Sequence, residues 1–233
     1  MWWFSGARPP AAPAPPAGHR SQALTAVLDG LVPGARHAVL DLGPPLAGNI
    51  KFLSALSCRV RIADLHRSLS AETVESRRPE AMGALFERLL PLAPEERFDA
   101  LLAWDVFDYM RPDQVSSLMA RLTPACRPEA LVLVLVSTRR QIPARPLLYR
   151  IVDRENLACD GPLQPARACP RYTQPDLARM MPGLSVRRSF LLRNGIQEYL
   201  LARGTGDGAA GVPEARAASG ATSGRPWFRR GRR

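Results

Sequence analysis

Two spacings of apolar residues alternate along this 233-residue chain. Short, nearly continuous apolar runs occupy 38–41, 59–63, 98–104 and 130–136. Each is too brief for a buried helix. The last is almost purely Leu and Val, as expected of a central strand covered on both faces. Elsewhere apolar residues recur at three- and four-residue steps. Leu24, Val27, Leu28 and Leu31 make one helical stripe, which opens at Ser21 and stops at Pro33-Gly34. Ile50, Phe52, Leu53 and Leu56 make a second, and Met82, Leu85, Phe86, Leu89 and Leu90 a third. Val115, Leu118, Met119 and Leu122 make a fourth, with Pro112 suited to its first turn. Strands alternating with helices predict an α/β domain with a mostly parallel central sheet flanked by helices. Near its end the pattern changes. Apolar segments at 185–192 and 198–202 flank Arg193-Asn194-Gly195, and Asn-Gly is the strongest short hairpin signal.

The first strand carries the most chemistry. Val39-Leu40-Asp41-Leu42-Gly43 runs an apolar strand into a carboxylate and then a glycine, and a helix opens near Gly48-Asn49-Ile50. Strand, tight turn, helix is how an open α/β sheet builds a ligand crevice at the carboxyl end of a strand. The second strand ends on Asp64, 64 − 41 = 23 residues later. That is close to the ~20 expected between such a turn and an acidic residue that holds a ribose. Two ligand classes fit poorly. The glycine spacing from Gly43 to Gly48 is that of a P-loop, but the Lys and Ser/Thr that hold phosphate and magnesium are absent. A pyrophosphate needs backbone N–H donors at the turn, and Pro44 and Pro45 supply none.

These motifs, followed by Phe98-Asp99-Ala100-Leu101-Leu102-Ala103-Trp104-Asp105-Val106-Phe107-Asp108-Tyr109, resemble the class I S-adenosylmethionine-dependent methyltransferases over roughly residues 21–203. The resemblance implies a single Rossmann-like domain ending in an antiparallel β-hairpin strand, with S-adenosylmethionine as cofactor and methyl transfer to an unidentified acceptor as activity. The glycine motif is degenerate, since Pro45 and Ala47 stand where the family has its second and third glycines. The cofactor residues implied are Asp41, Gly43, Pro44, Asn49, Asp64, Leu65, Trp104 and Asp105. Several have a plainer alternative. Asp41 and Asp64 are either ligand groups or structural caps, Asn49 either a ligand or a helix N-cap. Trp104 either lines the cofactor channel or packs under the following loop. The resemblance also implies a helix over the cofactor pocket from residue 21 and a third strand within 65–97, where none is legible. It names no catalytic base. Methyl transfer mainly needs acceptor, methyl and sulfur aligned.

Residues 139–171 are rich in proline and read as a long irregular lid with one short helix near 147–152. Residues 1–20, alanine- and proline-rich, and 204–233, rich in Gly, Ala and Arg, read as disordered flanks around a domain at 21–203. The net charge of +11 raises the question of nucleic acid, but no aromatic-interleaved basic stripe or RNA-binding signature is present. Lys51 is the only lysine, so the basicity is an arginine habit of the whole chain. The tail, with six arginines between Arg216 and Arg233, suits either weak contact with an anionic membrane surface or nucleic acid, or a solubilising role. Cys58, Cys126, Cys159 and Cys169 lack metal-ligand spacing, so no metal site is expected, and reduced thiols suit a cytoplasmic location. No apolar run approaches the ~20 residues of a membrane span. The alternative to the enzyme is a non-catalytic binding or scaffold module on the same fold, working through its basic tail.

Overall fold

The computed structural model describes residues 17–65, 67–68, 79–161 and 167–205. The head before residue 17, most of 66–78 and the tail after 205 lie outside the described residues, and with them the expectations of disordered flanks. Eleven strands and five α-helices are described: β1 (Ala17–Arg20), α1 (Gln22–Asp29), β2 (His37–Asp41), α2 (Ala47–Ala55), β3 (Cys58–Ile62), α3 (Pro79–Leu89), β4 (Phe98–Trp104), α4 (Pro112–Ala125), β5 (Cys126–Ser137), β6 (Gln141–Ile142), β7 (Leu148–Ile151), β8 (Asn156–Asp160), β9 (Arg167–Ala168), α5 (Gln174–Met180), β10 (Leu184–Leu191) and β11 (Ile196–Arg203). A 3-10 turn, Val106–Tyr109, follows β4.

Six strands form the central sheet, in the order β3-β2-β4-β5-β11-β10. The β2–β3, β2–β4 and β4–β5 pairs are parallel, and β11 is antiparallel to both β5 and β10. This is the mostly parallel Rossmann-like sheet with a C-terminal antiparallel hairpin that the patterning predicts. Among the described residues between β3 and β4 there is no strand, so the third strand implied by the resemblance is not found there.

Alternation along each strand supplies two cores. Leu40, Leu42, Leu101, Val132, Val134 and Leu201 face one side with α3, α4 and α5; Val39, Ala100, Leu102, Leu133, Leu135 and Leu200 face the other with α1 and α2. Leu101, Val132, Leu133, Val134 and Leu135 are at most 1% exposed, and burial of each such side chain contributes about 1.5–3 kcal/mol. α1 packs on β5, β10 and β11.

The structure moves the start of the domain. Ala17–Arg20 is a strand paired with β8, so the boundary expected at residue 21 lies at least four residues earlier. Gly18 runs so close to β8 that a Cβ there would lie 3.0 Å from the Leu157 carbonyl oxygen. His19 shares a 3.2 Å hydrogen bond with Glu198, a fully buried carboxylate on β11 that also accepts from the Ala23 N–H. β1 therefore ties the small β1-β8-β7 sheet to the central one.

The lid also differs from expectation. Where a helix near 147–152 is expected, Leu148–Ile151 is a strand, hairpinned onto β8. Its burial alternates, with Tyr149 and Ile151 inward, which is the two-residue period of a strand. Among the described residues no helix is long and apolar enough to cross a membrane.

Candidate functional site

In an open α/β sheet, ligands bind at the carboxyl ends of the strands where the strand order reverses. Here that point lies between β2 and β4, because β3 extends the sheet to one side of β2 and β4 to the other. Asp41 and Gly43 stand on one wall of this crevice and Trp104 and Asp105 on the opposite wall. Asp64 follows β3 on the same rim and is half-buried.

A side chain of the protein fills the crevice. Trp104 ends β4 at a register irregularity with φ +49°, a left-handed backbone that costs a bulky residue energy. In that conformation its indole N–H donates to Asp41 Oδ1 at 2.6 Å. The Gly43 N–H donates to the same oxygen at 2.8 Å. The indole lies so close to the turn that a Cβ on Gly43 would sit 2.9 Å from it, so glycine is required here by contact. Tyr149 of β7 stacks on the other face, ring centres 5.8 Å apart and planes within 3°. Between Gly43, Pro44, Leu46, Asn49, Trp104 and Tyr149 only about 10 Å³ remains, room for about one water.

A second, larger cavity opens beside it. It holds about 280 Å³, near the lower end for small-molecule sites, and is walled by Leu135, Ile142, Pro143, Leu147 and Ile196. Asp105, Leu147 and Tyr149 belong to both spaces and form the partition between them. Asp105, Asp108, Tyr109, Ser137, Arg139, Gln141 and Asn194 supply the polar part of the wall.

Three carboxyl groups at this rim are buried with one oxygen engaged and one without a hydrogen-bond partner. Asp41 Oδ2, Asp105 Oδ1 and Asp108 Oδ1 are the unpaired atoms. Asp105 Oδ2 accepts from the Leu147 N–H at 3.1 Å, which pins the lid, and Asp108 Oδ2 accepts from the Ser137 N–H at 2.7 Å. Burial raises all three above the usual carboxylate range: Asp41 to about 6, despite its bonds from Trp104 and Gly43, and Asp105 to about 7. Asp108 goes well above normal, first through burial and then through the neighbouring Asp105 charge. Tyr109 and Tyr149 are pushed up by the same burial.

The expected site residues thus divide. Gly43, Pro44, Asn49, Trp104 and Asp105 line the crevice, and Asp41 lies behind it, bonded to Trp104 and Gly43. Asn49 is not the helix cap: Leu46 occupies that position with no side-chain bond. Asn49 instead donates to the Tyr149 carbonyl at 2.9 Å and accepts from the Ile151 N–H at 2.8 Å, holding β7 against α2. Leu65 is fully buried in the core, and only its backbone touches the turn, through an N–H bond to the Leu42 carbonyl. For Asp64 no side-chain hydrogen bond is found among the described residues, and its backbone adopts φ +40°. Sequence reasoning missed Leu147, Tyr149 and Ile142, which reach the site from the lid. The alternation Leu148-Tyr149-Arg150-Ile151 was the available signal.

No family model matches the chain, and neither does any curated protein. Solved structures are similar in fold. One is a Burkholderia thailandensis 1,6-didemethyltoxoflavin-N1-methyltransferase with 1,6-didemethyltoxoflavin and S-adenosylhomocysteine bound: 18% identity, 78% of this chain aligned to 77% of that one, TM-score 0.43. The N-methyltransferase NodS from Bradyrhizobium japonicum WM9, in complex with S-adenosyl-L-homocysteine, is 14% identical over 78% of this chain and 84% of its own, TM-score 0.42. The glycopeptide N-methyltransferase MtfA complexed with (S)-adenosyl-L-methionine is 14% identical over 84% and 99%, TM-score 0.41. Strand order and register, rather than these likenesses, establish the Rossmann-like fold.

Proposed function

We propose that this protein binds S-adenosylmethionine in the crevice between β2 and β4 and transfers its methyl group to a small acceptor in the adjoining cavity. The observation that carries this reading is the shared partition. Asp105, Leu147 and Tyr149 border both spaces, so a molecule in one lies against a molecule in the other. The donor set suits the cofactor chemically. Asp41 and Asp105 are buried acids at the crevice, each with one oxygen outside any hydrogen bond, and with the Trp104 indole displaced Asp41 would suit a ligand that carries an ammonium and a sulfonium. Asp64 is the carboxylate suited to a ribose diol, two acceptor oxygens side by side. Pro44 and Pro45 present no N–H groups, which suits a ligand without phosphate. The bound cofactor would supply an electrophilic methyl group. The chain's own part is to exclude water with the Leu147–Tyr149 lid and to align the acceptor through the cavity walls.

Space is the opposing consideration. The indole of Trp104 occupies the turn, so cofactor binding requires that side chain to leave Asp41. That one fact favours a second reading, a non-catalytic module in which Trp104 has taken the cofactor's place. Calorimetry with S-adenosylmethionine and S-adenosylhomocysteine separates the two. Under the enzyme reading the wild-type protein binds both, and Asp64→Ala weakens binding roughly tenfold to a few hundredfold, the loss of charged hydrogen bonds worth about 1.5–3 kcal/mol each. Wild-type protein that stays unbound at millimolar ligand, with binding gained on Trp104→Ala or Trp104→Gly, supports the non-catalytic reading and rejects the first.

A further inference from the structure

The 280 Å³ cavity joins apolar walls to exposed polar groups. Leu135, Ile142, Pro143, Leu147 and Ile196 give it apolar walls. Arg139, Gln141 and Asn194 line the same space and are exposed, so they stand at its mouth. Arg139 uses one of its five N–H groups, on the Asn194 carbonyl at 2.9 Å. The Asn194 side-chain oxygen accepts the Ile196 N–H at 3.1 Å. Among the described residues its NH2 group has no partner, and neither has the Gln141 side chain. Local structure places the guanidinium. Thr138 donates to the Gly195 carbonyl through its N–H at 2.9 Å and its hydroxyl at 3.0 Å, which clamps the end of β5 to the β10–β11 turn. Gly195 has φ +82°, and a Cβ there would lie 3.1 Å from Arg139 Nε, so the arginine lies across a position that carries no side chain.

The charge around this mouth has one sign. Segments 137–147, 167–173 and 192–196 carry Arg139, Arg140, Arg145, Arg167, Arg171 and Arg193 without one Asp or Glu. β6 pairs with β9, and the Arg167 guanidinium stands 5.3 Å from the centre of the ring of Tyr109, which lines the cavity. Among the described residues no salt bridge includes any of the six. The acids of the wall offset little of this charge. Asp105 and Asp108 are 7% and 2% exposed, each carboxyl takes a backbone N–H, and the other oxygen of each is buried. Burial keeps both above the usual carboxylate range, so at mildly acidic pH they are largely protonated.

We propose that this cavity takes a small apolar carboxylic acid, its body against the Leu135–Ile142–Ile196 wall and its carboxylate at the mouth on Arg139, with Asn194 and Gln141 beside it. A planar guanidinium matches a carboxylate in shape as well as charge. The unpaired arginines around the entrance also raise the local concentration of anions and lower that of amines. A purely hydrocarbon ligand would gain nothing from these donors. The acid would be the acceptor of the proposed methyl transfer and rests on that reading for its fate. Its binding does not, and is tested without the cofactor.

The test is equilibrium binding to the full chain at pH 6 in the absence of S-adenosylmethionine. The probes are 3-phenylpropionate and indole-3-propionate, each paired with its neutral amide. The acids are expected to bind at least roughly tenfold more tightly than the amides, as for one hydrogen bond to a charged group gained. Arg139→Gln is expected to remove that preference while the melting transition persists, since the side chain is exposed. Arg97→Gln, which deletes the same charge just before β4 and so at the far end of that strand, is expected to leave it intact. Acids and amides that bind equally, or no acid binding up to millimolar concentration, would overturn the inference. So would a preference that survives Arg139→Gln or is lost equally in Arg97→Gln. Acid binding by a protein that fails to bind S-adenosylmethionine would uphold it and reject methyl transfer, so the two failures are distinct.

Discussion

The crevice and the cavity stand side by side on one rim, share Asp105, Leu147 and Tyr149, and are built on similar buried acids. One holds about 10 Å³ and the other about 280 Å³. The difference is a single side chain. Trp104 turns its indole toward β2, where Asp41 accepts its N–H, and Tyr149 closes over it. No side chain turns into the larger cavity in this way: Asp108 on its wall is held only by the Ser137 N–H. Backbone position makes a ligand crevice available, and the side chain at the strand end decides whether it is open.

Removing Trp104 is the strongest way to break this contrast. Trp104→Ala should lower stability by about 3–5 kcal/mol, as for other buried Trp or Phe truncations, and leave Asp41 with one donor fewer. Trp104→Gly should recover about 1–2 kcal/mol of that loss, because glycine adopts φ +49° without the left-handed penalty. Urea unfolding of the pair measures both. An Ala variant as stable as wild type would mean that the indole is not packed as described.

Asn49→Ala tests what holds the lid in place. Two buried backbone groups of β7 would lose their partner, at about 1–3 kcal/mol each. Hydrogen exchange should quicken first at the Ile151 amide. Equal protection in the variant would remove Asn49 from the lid's support.

Gly43→Ala probes the closeness of turn and indole. The new Cβ would meet the Trp104 ring at 2.9 Å and Asp41 Oδ1 at 3.1 Å, and overpacking of this kind costs about 1–3 kcal/mol. In a Trp104→Ala background most of the cost should vanish, since the ring is gone. A double-mutant cycle that came out additive would deny the contact.

The smallest effect expected is on pH dependence. Asp41, Asp105 and Asp108 have raised pKa values in the fold, so between about pH 4 and 8 the folded chain holds protons that the unfolded chain has released. Stability contributed this way is complete below the unfolded value near 3.8 and is lost as pH rises through about 6 to 7. The melting temperature should therefore fall from pH 5 to pH 8, and Asp105→Asn should flatten the fall. A melting temperature that rises over this range would contradict the burial of these groups. The two acids of the cavity should account for more of the slope than Asp41, whose engaged oxygen takes two donors.

The inner strands β2, β4 and β5 were legible because each is buried on both faces over most of its length, so its composition reports its environment directly. Residues 98–104 and the hairpin around Asn194-Gly195 match their elements closely. The crevice residues Asp41, Gly43 and Asp105 were legible for a related reason: strand ends and turns are local. The lid was not. Leu148–Ile151 is a strand because Asn49, about a hundred residues earlier, binds its backbone, and because β8 pairs with it. Proline-rich composition carries no trace of such partners.

Sequence alone determined the α/β alternation, the glycine turn after Asp41 and the row of acids along the carboxyl rim, because each depends on spacings shorter than about thirty residues. Tertiary structure alone decided that Trp104 fills the crevice, that Tyr149 closes it, and that Asp105 and Asp108 are buried in the wall of the cavity beside it. Those outcomes depend on which way side chains turn once distant segments meet. A tryptophan at a strand end reads the same whether it lines a pocket or plugs one. Only the neighbouring carboxylate, the missing Cβ of Gly43 and the ring stacked above it choose between the two.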